Sequence, residues 1–436
     1  MERTTKKNFI FTILTFVLIL AVCVVSAEVF LRIRNSTMKN SAAKILDYGD
    51  AYKNGLGNWA AGGKLKENFK DWVADGYGGK VWWENNSSGF RNDRDFAAYP
   101  EKGVIRILSM GDSFTAGYRV GQKETFSYLL EKWFNEGNDS LKFEVLVSNI
   151  EEPTKGLYYL TRHGKSFNPH AVFLGITIGN DITQSYVGLD PQGGFVLRDR
   201  GEAVEIENRE SFRSDEFWEA LKAYEIPSSC LSQGAPAEIR PGERMVKFLE
   251  EKSMAFKIIK EKIEIKSPQA IGSLYGEYNR PKLFDGINGL GFFMQPVHPE
   301  IEKAYQRLFL LLSAFKSFCD SNNIALAVML FPQRFQVQPE DWEKTAQVYG
   351  LKESCFDLMY PNTRIMQFCR DNGIVCIDPT EKMMQIHKRE GKSLYLPKGD
   401  MHWNKYGHEA FFRTTKDDLA AAVETAVNRQ RGTRQH

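Results

Sequence analysis

Three short stretches of this 436-residue chain carry side chains that could together perform nucleophilic catalysis. One contains Ser113, a second contains Asn180, and a third contains Asp400 and His402. A serine hydroxyl is a poor nucleophile at neutral pH, so it needs a base within hydrogen-bond reach and a third group that orients this base. Ser113 is the candidate nucleophile, His402 the candidate base and Asp400 the candidate orienting group. Asn180 adds a side-chain amide.

The spacing of these residues is compatible with such a site. His402 and Asp400 are two positions apart, so in an extended segment their side chains point the same way. The Asp400 carboxylate can then hold one imidazole nitrogen while the other faces Ser113. The Ser113 N–H and the Asn180 side-chain amide are suitable donors to an oxyanion. Each residue also has a structural alternative, since Asp112 and Ser113 could simply cap a helix, and a histidine near a C-terminal helix is often structural.

Metal and dinucleotide chemistry are less well supported by the sequence. His402 and His408 could be mistaken for a metal pair, but no third ligand recurs nearby. The spacing of Gly111 and Gly117 does not match a dinucleotide-binding fingerprint, and no acidic residue ends the second apolar run, as ribose binding would require. The motifs therefore indicate neither kind of site.

Apolar runs predict the elements that must position these residues. Five runs predict buried strands at 104–110, 143–148, 171–178, 324–331 and 373–377. Helical patterns lie between them, including residues 301–318, so we expect an α/β fold with a parallel sheet covered on both faces. Ser113 and Asn180 follow two of these strands. They therefore belong to the carboxyl edge, where open α/β sheets bind ligands.

The segments before, within and after the predicted sheet differ in composition from the strands and helices that form it. Residues 36–100 are polar and glycine-rich with aromatic patches, which predicts a segment that covers the core. The alternation of strand and helix patterns is interrupted over about 185–298, which predicts an insertion at the active-site edge. We expect this insertion to fold as a helical cap, with residues 253–265 as one of its helices. The catalytic domain is expected over 101–428, and residues 429–436 form a basic tail.

The N-terminus predicts a membrane anchor. Residues 9–27 form a 19-residue run without charged side chains, and three basic residues precede it. Such a run can cross a bilayer as a transmembrane helix with its basic end in the cytoplasm. We therefore expect residues 1–35 to anchor the protein and to leave its body on the periplasmic or extracellular side. Cleavage after Ala27, as in a signal peptide, is the alternative.

The composition of the body limits its partners. Residues 1–27 hold three basic and one acidic residue, so 54 residues of each sign remain. A body with zero formal charge is not expected to bind nucleic acid. Five of the six cysteines lie in the body, and an odd number leaves at least one thiol unpaired within the chain. Their pairing does not follow from the sequence.

In this order, the motifs resemble those of the SGNH or GDSL hydrolases. A Gly-Asp-Ser motif follows the first strand, a Gly-Asn-Asp motif follows the third, and the Asp-His pair comes last. The resemblance runs from about Gly89 to the final helix and is interrupted by the insertion. It implies a flavodoxin-like three-layer α/β/α sandwich that hydrolyses or transfers acyl groups. It also implies Ser113 as nucleophile, His402 as base, Asp400 as the residue that orients the base, and no metal or organic cofactor.

The resemblance also implies an oxyanion hole completed by Asn180 and by a glycine in the loop after the second strand. Direct register puts Thr154 at the position of that glycine, so Gly156 is the expected substitute. If Thr154 had to adopt a positive φ there, the strain would cost about 1 kcal/mol or more and would misdirect its N–H.

The spacing of the Asp-His pair gives a second resemblance. One residue separates Asp400 from His402, and Trp403 follows, which is similar to the Asp-x-His-Trp signature of alginate O-acetyltransferase-like proteins. In those proteins the nucleophilic serine comes later in the chain. The order here favours an esterase or carbohydrate deacetylase that acts on an acylated small molecule or glycan. The signature and the membrane anchor both point to acyl groups of the cell envelope or of an exopolysaccharide as the substrate. An O-acyltransferase that modifies an exopolysaccharide or envelope glycan is the alternative, and an inactive carbohydrate-binding or scaffold protein is a third hypothesis.

Overall fold

A computed structural model describes residues 25–26, 28–29, 57–58, 64–75, 77, 79–136, 141–150, 152–187, 226–232, 290–397 and 400–433. The chain divides into two compact units, and nearly all described residues belong to the larger one, Leu46–Ser232, Pro281–Ala346 and Leu351–His436. Most of the membrane segment expected at 9–27 and of the cap expected at 185–298 lies outside the described residues, as does all of the expected helix at 253–265. Within the described part, no helix is long and apolar enough to cross a membrane.

The central element is a five-stranded parallel sheet. The strands in chain order are β1 (Gly57–Asn58), β2 (Lys64–Leu65), β3 (Lys70–Ala74), β4 (Lys80–Glu84), β5 (Val104–Met110), β6 (Lys142–Val147), β7 (Ala171–Thr177), β8 (Ala325–Phe331) and β9 (Val375–Ile377). β5 to β9 pair in the order β6-β5-β7-β8-β9, and every pair is parallel. Counted along the chain, this is the order 2-1-3-4-5 of flavodoxin-like doubly wound sheets. All five strands expected from the sequence are present.

Helices alternate with these strands. They are α1 (Ser113–Ala116), α2 (Phe126–Glu136), α3 (Pro153–Arg162), α4 (Asn180–Val187), α5 (Pro299–Ser321), α6 (Arg334–Val337), α7 (Pro339–Tyr349), α8 (Tyr360–Asp371), α9 (Thr380–Glu390) and α10 (Lys405–Thr433). The helix expected at 301–318 lies within α5, which begins with a proline at its first turn.

The strands are apolar along nearly their whole length because helices cover both faces of the sheet. On one face, Ile107 and Met329 belong to a core that includes side chains of α2, α9 and α10. On the other face, α3 and α5 pack closely, since a Cβ added to Gly156 would lie 3.3 Å from Phe315 and 3.8 Å from Met110. The prediction of a parallel sheet covered on both faces is therefore confirmed.

Part of the segment that precedes the sheet forms two antiparallel strand pairs, β1 with β2 and β3 with β4. In the β3–β4 hairpin, Val73 and Trp83 are fully buried and form a small core with Leu65 of β2 and Ala116 of α1. The hairpin therefore packs against the helix that begins at Ser113.

One pair of cysteines is bridged. Cys230 and Cys355 form a disulfide, which joins the short 3₁₀ helices Ser228–Cys230 and Glu353–Cys355. Cys319, Cys369 and Cys376 form no disulfide. The body therefore contains thiols that are unpaired, as its odd number of cysteines requires.

Candidate active site

Ser113, His402 and Asp400 form a continuous hydrogen-bonded chain. Ser113 Oγ lies 2.7 Å from His402 Nε2, across a separation of 289 residues in the sequence. His402 Nδ1 lies 2.7 Å from Asp400 Oδ1. In such an arrangement a hydroxyl can act as nucleophile, an imidazole as base, and a carboxylate as the group that fixes the tautomer of the base.

Ser113 is the first residue of α1 and follows β5 after a two-residue turn. Asp112 is the N-cap of α1, and its carboxylate accepts the N–H of Phe114 at 2.9 Å. The helix ends after one turn because Gly117 at its C-cap has a φ of +73°, in the left-handed region that glycine adopts without strain. The structural alternative is thus correct for Asp112, which caps the helix, while the Ser113 hydroxyl is directed to His402.

Arg91 holds the turn that follows α1. Its guanidinium donates hydrogen bonds to the carbonyl oxygens of Ala116, Gly117 and Val120, the last at 2.6 Å. Its Cζ also lies 3.7 Å from the ring centroid of Trp83 in the β3–β4 hairpin. Arg91 therefore satisfies carbonyl groups that the helix end leaves without intrahelical partners. The sequence placed Arg91 at the start of the family resemblance but gave no sign of this role.

The loop that carries His402 is fixed on both sides. Trp403 is fully buried, and its ring centroid lies 5.1 Å from that of Phe331. The carbonyl of His402 accepts the N–H of Leu396 at 2.8 Å. The side-chain oxygen of Asn404 accepts backbone N–H groups in the first turn of α10. Core packing and helix capping thus hold His402 in place.

Aromatic rings enclose the imidazole of His402. The ring centroid of Tyr118 lies 4.1 Å from it, and that of Phe114 lies 5.2 Å from it. Arg119 follows with a φ of +59°, which is uncommon for a residue with a Cβ. Its guanidinium Cζ lies 4.8 Å from the centroid of the Tyr118 ring. Sequence reasoning missed Tyr118 and Arg119, because neither residue is part of a recognisable motif.

Asp400 is ionised in this environment. Its Oδ1 also accepts the backbone N–H of His402 at 3.0 Å. Burial alone would raise the pKa of Asp400, but the hydrogen bonds and charge of His402, together with the charge of Arg119, hold it below its ordinary value. A carboxylate of this kind orients the imidazole and stabilises its protonated form.

His408 is unsuited to act as a base. Its ring stacks on Phe126 with a centroid distance of 5.9 Å, and its Nδ1 accepts the N–H of Phe126 at 3.4 Å. Burial, with the nearby charges of Arg91 and His402, lowers the pKa of His408 to about 3. It is therefore neutral at physiological pH and has a structural role.

Asn180 contacts the carboxylate of Asp112. It is the first residue of α4, directly after Gly179, which has a φ of +92°. Asn180 Nδ2 lies 3.4 Å from Asp112 Oδ2, and Thr177 Oγ1 donates to the same oxygen at 2.7 Å. A primary amide has two N–H donors, so the contact with Asp112 leaves one for another acceptor.

Gly156 does not lie in the loop after β6 but within α3. Its N–H donates to the carbonyl of Glu152 at 2.9 Å, so it is already used by the helix. This corrects the expectation that Gly156 completes an oxyanion hole. The physical reason is that Pro153 begins α3, because its fixed φ favours the first helical position.

Thr154 is the second residue of α3 and is fully buried. It is not among the described non-glycine residues with a positive φ, so the strain considered for this position does not arise. The N–H groups in the first turn of a helix have no intrahelical acceptor. The N–H of Thr154 is therefore a candidate backbone donor.

Two buried carboxyl groups, those of Asp112 and Asp181, are close to Asn180. Asp181 Oδ2 accepts the N–H of Thr177 at 2.7 Å. Burial, and then the negative charge of Asp112, raise the pKa of Asp181 well above its ordinary value. Burial also raises the pKa of Asp112, although hydrogen bonds from Thr177 and the Phe114 N–H oppose it. Among the described residues, no group of three or more His, Cys, Asp or Glu side chains is arranged to hold a metal ion.

Comparison with known proteins does not identify a family for this chain. No protein-family model matches the chain, and no curated protein matches it. Among solved structures, the crystal structure of an acetyl xylan esterase, AlAXEase, is similar over 72% of this chain and 99% of that chain, with 12% identity and a TM-score of 0.33. A similarity at this level carries no argument about fold or activity, so the functional conclusion rests on the site itself.

Proposed function

We propose that this chain is a serine-dependent hydrolase of acyl esters, with Ser113 as nucleophile, His402 as general base and Asp400 as the residue that orients the base. The observation that carries the proposal is the chain of contacts from Ser113 Oγ to Asp400, each of 2.7 Å. The site also belongs to the carboxyl edge of the sheet, where β5 neighbours both β6 and β7 and the strand order reverses. Ligands of open α/β sheets bind at such a point.

In the first half-reaction, Ser113 Oγ attacks the acyl carbon and gives its proton to His402 Nε2. The carbonyl oxygen becomes an oxyanion, for which we propose three donors: the N–H of Ser113, the side-chain amide of Asn180 and the N–H of Thr154. Collapse of this intermediate breaks the bond to the alcohol oxygen. The alcohol takes the proton from His402, and an acyl-serine remains.

In the second half-reaction, water attacks the acyl carbon and gives a proton to His402. Collapse of the second intermediate returns this proton to Ser113 Oγ and releases the carboxylic acid. If a sugar hydroxyl attacks in place of water, the same residues perform O-acyl transfer. The acceptor, rather than the triad, separates a hydrolase from a transferase.

We also propose that the chain is a member of the SGNH or GDSL hydrolases and acts outside the cytoplasm behind an N-terminal anchor. The order of its motifs supports the family. The apolar run at 9–27 and the Cys230–Cys355 disulfide support the location, because disulfides persist in oxidising compartments. Fractionation with N-terminal sequencing tests the anchor, and a soluble form that begins at Glu28 would contradict it.

The activity is tested with the full-length protein and 4-nitrophenyl acetate, with and without a sugar acceptor. We expect acetate release by the wild type and a loss of about 10⁶-fold in kcat for Ser113→Ala. The melting temperature should stay close to that of the wild type, because a small residue replaces a small residue. A folded Ser113→Ala protein with unchanged activity would remove the serine mechanism. Acetylation of the sugar in place of hydrolysis would identify a transferase.

A further inference from the structure

The outer face of the β3–β4 hairpin presents two tryptophans to solvent. Trp72 and Trp82 are directly opposite each other in the register of the two strands, with ring centroids 5.4 Å apart. They are 41% and 42% exposed. Val73 and Trp83 point to the other face and are fully buried. The alternation of the strands thus gives the hairpin one buried face and one exposed aromatic face.

The exposure of this pair is selective. Among the described residues, Trp72 and Trp82 are the tryptophans that are exposed, and they stand side by side. Isolated apolar side chains on a surface are ordinary, whereas clustered apolar surface marks an interaction site. The hairpin packs against α1 through its other face, which carries Val73 and Trp83, so the outer pair takes no part in that core.

Charged groups of both signs surround the pair. Lys70 forms an ion pair with Glu84, and Glu84 also accepts the indole N–H of Trp82 at 3.2 Å. Lys80 Nζ lies 4.4 Å from the centroid of the Trp72 ring. Pyranose rings match such a face, since their C–H groups pack on indole rings while their hydroxyls bond to charged side chains. A polybasic patch, as binding to anionic lipid would require, is not formed by these residues.

Tyr77 links the hairpin to the candidate active site. It lies between β3 and β4 and is 61% exposed. Asn404 Nδ2 donates to its hydroxyl at 3.2 Å, and Asn404 is two residues from His402. A fully extended chain from Trp72 to Tyr77 would span about 16 Å, from the rise per residue of a strand. This length is an upper limit on the backbone separation of the two residues, so one oligosaccharide of a few sugar rings can contact both of them.

We propose that the outer face of the hairpin, formed by Trp72 and Trp82, binds together with Tyr77 of the connecting turn a neutral glycan chain whose acyl group is presented to Ser113. This inference rests on the proposed function and gives it a substrate class: an acylated oligosaccharide or polysaccharide rather than a small ester. Contacts with sugars remote from the ester add binding free energy for long substrates. They add nothing for an ester that is too small to reach them.

The test compares substrates of increasing length. The full-length protein is assayed with partially O-acetylated cello-oligosaccharides, from monosaccharide to hexasaccharide, and with 4-nitrophenyl acetate as the small ester. In the wild type we expect kcat/KM to rise about tenfold or more with chain length, which corresponds to about 1.4 kcal/mol. In Trp72→Ala/Trp82→Ala we expect this rise to vanish through KM, while turnover of 4-nitrophenyl acetate is retained.

Two further variants separate stacking from folding. Trp72→Tyr/Trp82→Tyr keeps an aromatic ring at both positions and should retain most of the rise with length. Tyr99→Ala removes a side chain that is 76% exposed outside the hairpin and should change neither activity. A flat dependence on length in the wild type, or an equal loss in Tyr99→Ala, would overturn the proposal.

Failure of the hydrolase and failure of the glycan face give different results. If the wild type releases no acetate from any ester, the hydrolase proposal fails, and the glycan face is judged by indole fluorescence with unacetylated cellohexaose. A saturable change that is absent in Trp72→Ala/Trp82→Ala then supports the face, and no change overturns it. A response to phosphatidylglycerol vesicles without a response to cellohexaose would identify a membrane surface and overturn the glycan.

Discussion

On the proposed base side of Ser113, hydrogen bonds of 2.7 Å join Ser113 to His402 and His402 to Asp400, whereas on the proposed oxyanion side Asn180 lies 3.4 Å from Asp112. The base side must hold a proton in a defined position before substrate binds, so its geometry is complete in the resting protein. The oxyanion side is complementary to a charge that exists only in the transition state. Side-chain contacts therefore indicate the proposed base, whereas the proposed backbone donors are indicated by helix N–H groups without an intrahelical acceptor.

Removal of the His402 imidazole is expected to lower the turnover rate more than removal of a proposed oxyanion donor. His402→Ala should lower kcat about 10⁶-fold, because Ser113 then has no acceptor for its proton. The double variant with Ser113→Ala should lose no more, since residues that act as a unit are not additive. Initial rates with 4-nitrophenyl acetate measure both effects. His408→Gln is the matched control, because the buried, neutral His408 should affect the melting temperature rather than kcat. A His402→Ala protein close to wild-type activity would contradict the assignment of the base.

Removal of one oxyanion donor should have a smaller effect. Asn180→Ala is expected to lower kcat about 100- to 1,000-fold with little change in KM, because its amide meets charge that develops only in the transition state. The two constants are separated by varying the ester concentration. A change in KM alone would assign Asn180 to ground-state binding, and an unchanged rate would leave the donor role to backbone N–H groups.

The smallest expected effect is on the pH dependence of stability, through the buried carboxyl group of Asp181. The pKa of Asp181 is raised from an ordinary value of 3.8, so the folded state holds a proton that the unfolded state releases as the pH rises. Its contribution to stability is therefore complete below the unfolded pKa and is lost with increasing pH. We expect Asp181→Asn, whose side-chain oxygen can still accept the Thr177 N–H, to weaken the fall of melting temperature between acidic and neutral pH. Thermal melts across this range measure the slope, and an identical slope in both proteins would contradict the raised pKa.

The sequence predicted the sheet because each of its strands is buried on both faces and must therefore be apolar throughout. The run at 104–110 coincides with β5, and the other four expected strands differ from the observed ones by only one or two residues at either end. The positions of Ser113 and Asn180 follow from this, because each comes directly after a strand and all five strands are parallel. The positions of these two side chains were thus determined locally, by apolar runs and the turns that end them.

The motifs pointed to His402, but the contact between His402 and Ser113 and the residue at which α3 begins are visible only in the folded chain. His402 and His408 lie in one short stretch, yet packing buries His408 against Phe126 and brings His402 to a serine 289 residues away. The choice between Thr154 and Gly156 as the proposed backbone donor depended on where α3 begins. Thr154 lies in the first turn, whose N–H groups have no intrahelical acceptor, whereas the N–H of Gly156 already donates within the helix. Such choices depend on long-range packing and helix boundaries, which a local pattern of residue types does not encode, whereas strands and motifs are encoded by the residues that form them.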